Sequence, residues 1–150
     1  MQVHTTRFGT VEIDDQQCIH FPEGILGFTH LTRFLLIEHP GGPFKWLQAV
    51  DAPEVAFPTL NPAWVCSNYE IRLEESEIET LGLGADAGAG DVSVLAIVNV
   101  STPTSPTINL MAPICVAVET RRGIQAVQHN RSLSTRHPLR ARQRGERRVA

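Results

Sequence analysis

No run of apolar residues in this chain is long enough to cross a bilayer. The longest strongly apolar run, Val94 to Val98, falls far short of the roughly 20 residues a membrane helix needs. The N-terminal MQVHTTRFGTVEIDD has no apolar stretch followed by a small-residue cleavage site, so no secretory signal is expected. Cysteine is scarce and odd in number: Cys18, Cys66 and Cys115 sit in dissimilar contexts and do not form a disulfide framework. A reducing cytoplasm is the expected compartment. Tight Cys/His pairs are missing as well. Cys18-x-His20 would place both side chains on one face of a strand, as a metal pair requires, but no second pair joins it, and a buried thiol beside a hydrogen-bonded imidazole is the plainer reading.

The nucleophile constellations are equally thin. Ser132, Ser134, Thr135 and His137 supply hydroxyls near an imidazole, with no elbow glycines and no adjacent carboxylate. Gly82, Gly84, Gly88 and Gly90 do not open a helix after a strand, and no lysine follows them, so they do not cradle phosphate. The expectation is a protein that is no enzyme and holds neither cofactor nor metal.

What is present is a core-forming composition and an uneven charge. Of the 150 residues 42% are hydrophobic, which suffices for one folded domain and excludes wholesale disorder. The net charge of −3 hides two halves: residues 1–135 carry a net −8, and residues 136–150 a net +5 from six arginines against Glu146. The acidic body attracts a basic partner and repels nucleic acid, and the tail does the reverse. A second reading therefore makes the chain a small RNA-binding barrel acting through RHPLRARQRGERR, although that tail has no interleaved aromatics for base stacking.

Most segments alternate with period two between Gly and Pro punctuation, the pattern of strands. VHTTRF and VEID read as a hairpin turning at Gly9-Thr10, and QCIHF as a third strand. THLTRF reads as opening with one helical turn capped by Thr29. FLLIE and FKWLQAV are strands joined across HPGGP. VAFPTL is a strand that Pro58 assigns to an edge or bulge, and NYEIRL is a further strand. LEESEIETLGLG is the one helix, capped by Ser76 with Glu79 three residues on, or starting earlier at Glu74, and stopped by Gly82. VSVLAIVNV is a central strand, and INLMAPICVAV is two short strands or one bent at Pro113. IQAVQH closes the sheet. About ten short strands and one helix point to an all-β fold, a small antiparallel barrel, closed or nearly so. The domain is assigned to residues 1–139, with a disordered Arg-rich tail over 140–150.

HFPEGILGF stands out within this frame. Gly24 and Gly27 are assigned to backbone geometry at φ > 0, and Phe21 to the core. Glu23 and Phe28 are its candidates for facing a partner. Trp64, on a second turn, is another candidate, as are Glu74, Glu75 and Glu77 of the acidic helix, whose alternative is a merely solvated face.

The order of blocks is specific. TRFGTVEID, IHFPEGILGF, RFLLIE, FKWLQAVDAPEVAFPTLNP, VSVLAIVNV, TINLMAPICV, TRRGIQAVQ and LSTRHPL follow one another as in the FliW flagellar assembly factor family, which residues 1 to about 139 resemble. The resemblance implies a small, barrel-like, non-enzymatic cytoplasmic protein that supports flagellum assembly. It implies binding to flagellin and, when flagellin is exported, to CsrA, a small dimeric RNA-binding repressor of flagellin translation, whose antagonism frees the message. The Gly/Ala-rich LGADAGAGD, the three cysteines and the basic extension after Leu139 depart from the family pattern.

Overall fold

The computed structural model describes residues 1–38 and 40–139. Eleven strands are found among them: β1 Gln2–Thr5, β2 Gly9–Glu12, β3 Ile19–His20, β4 Arg33–Glu38, β5 Lys45–Ala49, β6 Ala56–Leu60, β7 Val92–Asn99, β8 Thr107–Ile108, β9 Ile114–Ala117, β10 Gly123–Gln125 and β11 His137–Pro138. One α-helix, α1 Glu75–Leu81, joins them. Every ladder is antiparallel. Strands β1 and β2 form a separate hairpin, and the main sheet runs β10-β9-β7-β6-β5-β4-β3, with β8 beside β7 and β11 beside β8.

The two ends of this sheet meet. His20 of β3 forms a parallel bridge with Arg122, and its N–H donates to the Arg121 carbonyl at 2.9 Å. The architecture is therefore barrel-like and mainly β as expected. The barrel is not closed: its two ends touch at this one bridge and share no ladder.

The interior follows from strand alternation. Ile19, Phe21, Phe34, Leu47 and Ile114 have no exposed surface and form the main core. β9 is buried on both faces: Ile114 and Val116 look into that core, and Cys115 and Ala117 lie beneath Leu81 of α1. Two side chains fasten the helix there by its C-terminal carbonyls. Thr120 Oγ1 donates to the Leu81 carbonyl at 2.6 Å and Arg122 Nη1 to that of Thr80 at 3.4 Å. The β1–β2 hairpin covers the outer side of β4, where Val3 and Ile13 pack on Leu35. Arg7 from its turn lies 4.2 Å over the Trp46 ring, which Phe8 and Phe44 meet edge-on.

Gln48 explains the compactness of WLQAVDAPEVAF. It is fully buried, and its Nε2 lies 3.0 to 3.4 Å from the carbonyl oxygens of Ala49, Ala52, Pro53 and Val55. Its two N–H groups are thus shared among carbonyls of the turn between β5 and β6, where those of Ala52, Pro53 and Val55 also accept the backbone N–H groups of Val55, Thr6 and Ala49.

Several local expectations are corrected. The first hairpin turns at Thr6–Phe8, one step before Gly9-Thr10, because Thr5 pairs with Gly9 and its Oγ1 accepts the Phe8 N–H at 2.7 Å. The third strand shrinks to Ile19–His20 since Asp15–Gln17 forms a 3-10 turn. Thr29 caps no helical turn, as the chain there makes only a tight turn from Phe28 to Leu31. NYEIRL is no strand. It runs extended past Gln128, whose side-chain amide holds both the N–H and the carbonyl of Arg72, at 2.8 and 3.2 Å, in place of a neighbouring backbone. Of the two helix starts expected, the earlier one holds, two residues before a Ser76 cap: Glu74 is the cap, Glu77 Oε1 accepts its N–H at 2.8 Å, and Gly82 ends the helix at φ 72°. β6 is interior, yet its pairing with β7 covers only Thr59 and Leu60, which leaves Pro58 beyond that ladder. The Arg-rich tail over 140–150 lies outside the described residues.

Candidate partner-binding surface

The FPEGILGF stretch is two successive tight turns. The Gly24 N–H donates to the Phe21 carbonyl at 3.0 Å and the Phe28 N–H to that of Ile25 at 2.6 Å. Gly24 has φ 67°, and a Cβ on it would fall 2.5 Å from the Thr29 Cα, so both conformation and close approach demand glycine. Phe21 is fully buried, edge-on to Phe34 with ring centroids 5.2 Å apart. Its ring lies against Gly123 of β10, where a Cβ would come within 2.5 Å of Cζ. Phe21 thereby plugs the barrel beside the His20–Arg122 bridge.

The turn's outer members form a surface. Glu23 is exposed, and Leu26 is 62% exposed with its N–H donating to Gln125 Oε1 at 2.8 Å. Phe28 is half-buried and meets Phe57 edge-on at 5.4 Å, so it leans toward the core. Between this turn and the start of α1 lies a cleft of about 290 Å³ whose lining includes Glu23, Leu26, Glu74, Glu77 and Gln125. Three of the six sequence candidates are thus brought together from positions some fifty residues apart. Glu75 is exposed on the same first helical turn but does not line the cleft. Trp64 is separate: it is 71% exposed at the end of the Pro62–Trp64 3-10 turn and borders a larger groove of about 970 Å³.

Electrostatics favour a cation at the smaller cleft. The carboxylates of Glu75 and Glu77 complement the positive end of α1. Glu74 has His129 beside it, with Nε2 3.8 Å from Glu74 Oε2 and both side chains largely exposed. Elsewhere Arg33 grips Asp51 with two hydrogen bonds of 2.6 and 3.1 Å, which holds the Asp51 carboxyl below its ordinary range. Burial pushes the Cys115 thiol and the Tyr69 hydroxyl up to about 12, and Tyr69 donates to the Leu110 carbonyl at 2.6 Å. Among the described residues no three His, Cys, Asp or Glu side chains gather as a metal site would require. No helix among them is long and apolar enough to cross a membrane.

Leu26 and the apolar groove beside Trp64 were not legible as surface features. Leu26 follows Ile25 between Gly24 and Gly27, a pair that reads as core by composition, and only the turn geometry buries Ile25 and exposes Leu26.

The family model described as FliW protein matches residues 2–139. The chain belongs to the FliW family. It is 36% identical over 135 residues to the flagellar assembly factor FliW of Pseudothermotoga lettingae, covering 90% of this chain and 86% of that one. Against the FliW of Bdellovibrio bacteriovorus it is 37% identical over 140 residues, 93% of this chain and 79% of the relative. A crystal structure of the flagellar assembly factor FliW superposes with a TM-score of 0.85 at 31% identity, covering 95% of this chain and 99% of that chain. The blocks that carried the FliW resemblance have visible structural work. IHFPEGILGF supplies the Phe21 plug, WLQAVDAPEVAF the buried Gln48, and NLMAPI a turn in which Asn109 Oδ1 accepts the Met111 and Ala112 N–H groups at 3.1 and 3.0 Å.

Proposed function

We propose that this protein is a non-enzymatic binding module of the bacterial cytoplasm that partitions between flagellin and CsrA. Bound to flagellin, it is occupied. Once flagellin leaves, the free protein captures CsrA and relieves the repression of flagellin translation. Membership of a family of flagellar assembly factors is the observation that carries this reading.

The charge distribution supports it. Residues 1–135 carry a net −8, which suits a basic RNA-binding protein as partner and disfavours direct contact with RNA. The cleft lined by Glu23, Glu74 and Glu77, with Glu75 beside it, is the part of that surface we assign to CsrA. Exposed carboxylates of this kind steer association and set partner choice more than they add affinity. Leu26 supplies an apolar contact at the cleft rim. Trp64 and the outer edge of Phe28 are assigned to protein partners without further division between the two.

Size-exclusion chromatography with flagellin and CsrA from the same genome tests the reading. Stoichiometric co-elution with each partner is expected, and failure of both complexes to form sinks the proposal.

A further inference from the structure

β7 pairs with β9 and then β8 along one side and only briefly with β6 on the other. Toward β9, Val92, Ser93, Val94 and Leu95 pair with Ala117, Val116, Cys115 and Ile114. Toward β6, pairing is limited to Ala96 and Ile97, opposite Leu60 and Thr59. The next residues of β6 turn away: Asn61 Oδ1 accepts the Ala63 N–H at 2.9 Å, and the Pro62 carbonyl is taken by the N–H groups of Val65 and Cys66. Proline has no N–H to continue the ladder. Half of a central strand is thereby left without a neighbour on one side.

Antiparallel alternation settles which groups are exposed. The Val118 N–H donates to the Asp91 carbonyl at 3.0 Å, so Asp91, Ser93 and Leu95 direct their backbone groups to β9. Val92 and Val94 direct theirs the opposite way. The Val92 N–H is used by the Ala89 carbonyl, which leaves the Val92 carbonyl and both groups of Val94 facing the free side.

That side is the groove of about 970 Å³. One wall is the 60–64 turn with exposed Trp64, and the other carries half-buried Ile71, Leu73, Ile78 and Leu83. Free edges are ordinarily blunted by charges, prolines or bulges. Val92–Leu95 has none of these.

We propose that this groove takes an extended segment of a partner polypeptide, which adds as a strand along the free edge of β7. The occupant follows from the groups on offer. Backbone donors and acceptors between apolar walls are matched by another extended backbone, whereas a helix has its own groups internally paired along its length. A nucleic acid would meet apolar walls and only Lys45 as a cation among the lining residues. Four residues of strand span about 13 Å, and alternate side chains point toward one wall. The recognised sequence therefore places apolar residues at every second position. The inference does not depend on which protein supplies the segment.

The probe is a phage-displayed library of random heptapeptides selected on the full chain, followed by synthesis of the enriched sequences. Expected are apolar residues alternating with period two, and slowing of Val94 amide exchange on saturation. N-methylation of the peptide amide facing β7 is expected to weaken binding about tenfold. Trp64→Ala is expected to weaken it with the fold intact. The proposal is overturned if no peptide is enriched, if apolar residues recur at i, i+3 and i+4, or if N-methylation has no effect. It is also overturned if Val94 becomes protected by concentrating the protein alone, which would make the occupant a second copy of this chain.

Discussion

Gly123→Ala tests the packing that ties the FPEGILGF stretch to the barrel. The added Cβ would lie 2.5, 2.7 and 2.9 Å from Cζ, Cε2 and Cε1 of Phe21. The ring has no room to retreat, since Phe21 is fully buried and pinned edge-on by Phe34. Gly123 is not among the residues with positive φ, so alanine incurs no backbone strain there and stiffens the unfolded chain, which stabilises by about 0.4–1 kcal/mol. Overpacking a filled core opposes this with about 1–3 kcal/mol. With three ring atoms inside 3.0 Å the overpacking falls in the upper part of that range, about 2–3 kcal/mol, so the net is a destabilisation of about 1–2.6 kcal/mol, read by urea unfolding followed by circular dichroism. Phe21→Leu shortens the ring that would clash. In a double-mutant cycle the pair should therefore be less destabilised than the sum of the singles by at least about 1 kcal/mol. A neutral Gly123→Ala, or additivity within about 0.5 kcal/mol, would refute the plug.

Other outcomes follow from the same geometry. Gln48→Leu removes the amide donor shared by the carbonyls of Ala49, Ala52, Pro53 and Val55, the last three of which keep backbone N–H partners, and should lower stability by about 1 kcal/mol; a chemical-denaturation midpoint equal to wild type would contradict the amide's role. Cys115 is buried with its thiol pushed up to about 12, so a thiol reagent should label only Cys18 and Cys66 in the native protein, and Cys115 only on unfolding. Early modification of Cys115 in peptide mapping would show that α1 does not cover β9 as described. The lowered carboxyl of Asp51 gives stability that is present above the unfolded value of about 3.9 and is lost as pH falls through the folded value beneath it. Because Arg33 and Asp51 are about half exposed, the contribution is below about 1 kcal/mol, and Asp51→Asn should remove that part of the acid dependence in pH-resolved melts. Replacing Glu74, Glu75 and Glu77 with Lys should weaken CsrA binding and its salt dependence while leaving flagellin binding measurable; unchanged affinity in titration calorimetry would move the CsrA interface off α1.

The sequence counted NYEIRL as a strand and missed β11, but it made the mainly β class, the central position of VSVLAIVNV, the two strands around Pro113 and the glycine roles at 24, 27 and 82 readable. Each rests on local rules, periodicity or punctuation. What escaped it depends on distant partners. NYEIRL has strand composition, but its neighbour is the Gln128 side chain and not a backbone, which no local pattern encodes. Pro58 is interior because the β6–β7 ladder is short, a property of two strands at once. The helix start was open between Glu74 and Ser76, and the reach-back of Glu77 decides it. The candidate contact residues were chosen as charge and exposed apolar surface. The fold gathers Glu23, Glu74 and Glu77 into one cleft, leaves Glu75 beside it, turns Phe28 partly inward, and sets Trp64 on a different groove. The long separation between Glu23 and Glu74 is closed by the contact of α1 with β10 and by the Leu26–Gln125 hydrogen bond, both of them tertiary.

The proposed partition between flagellin and CsrA makes release of the flagellin message depend on free flagellin. The most direct measurement is a gel shift of CsrA on the leader of the flagellin message, titrated with this protein and then with flagellin. The protein is expected to release the RNA from CsrA, and added flagellin to restore the shifted complex. A shift that the protein leaves unchanged at stoichiometric excess would contradict the partition.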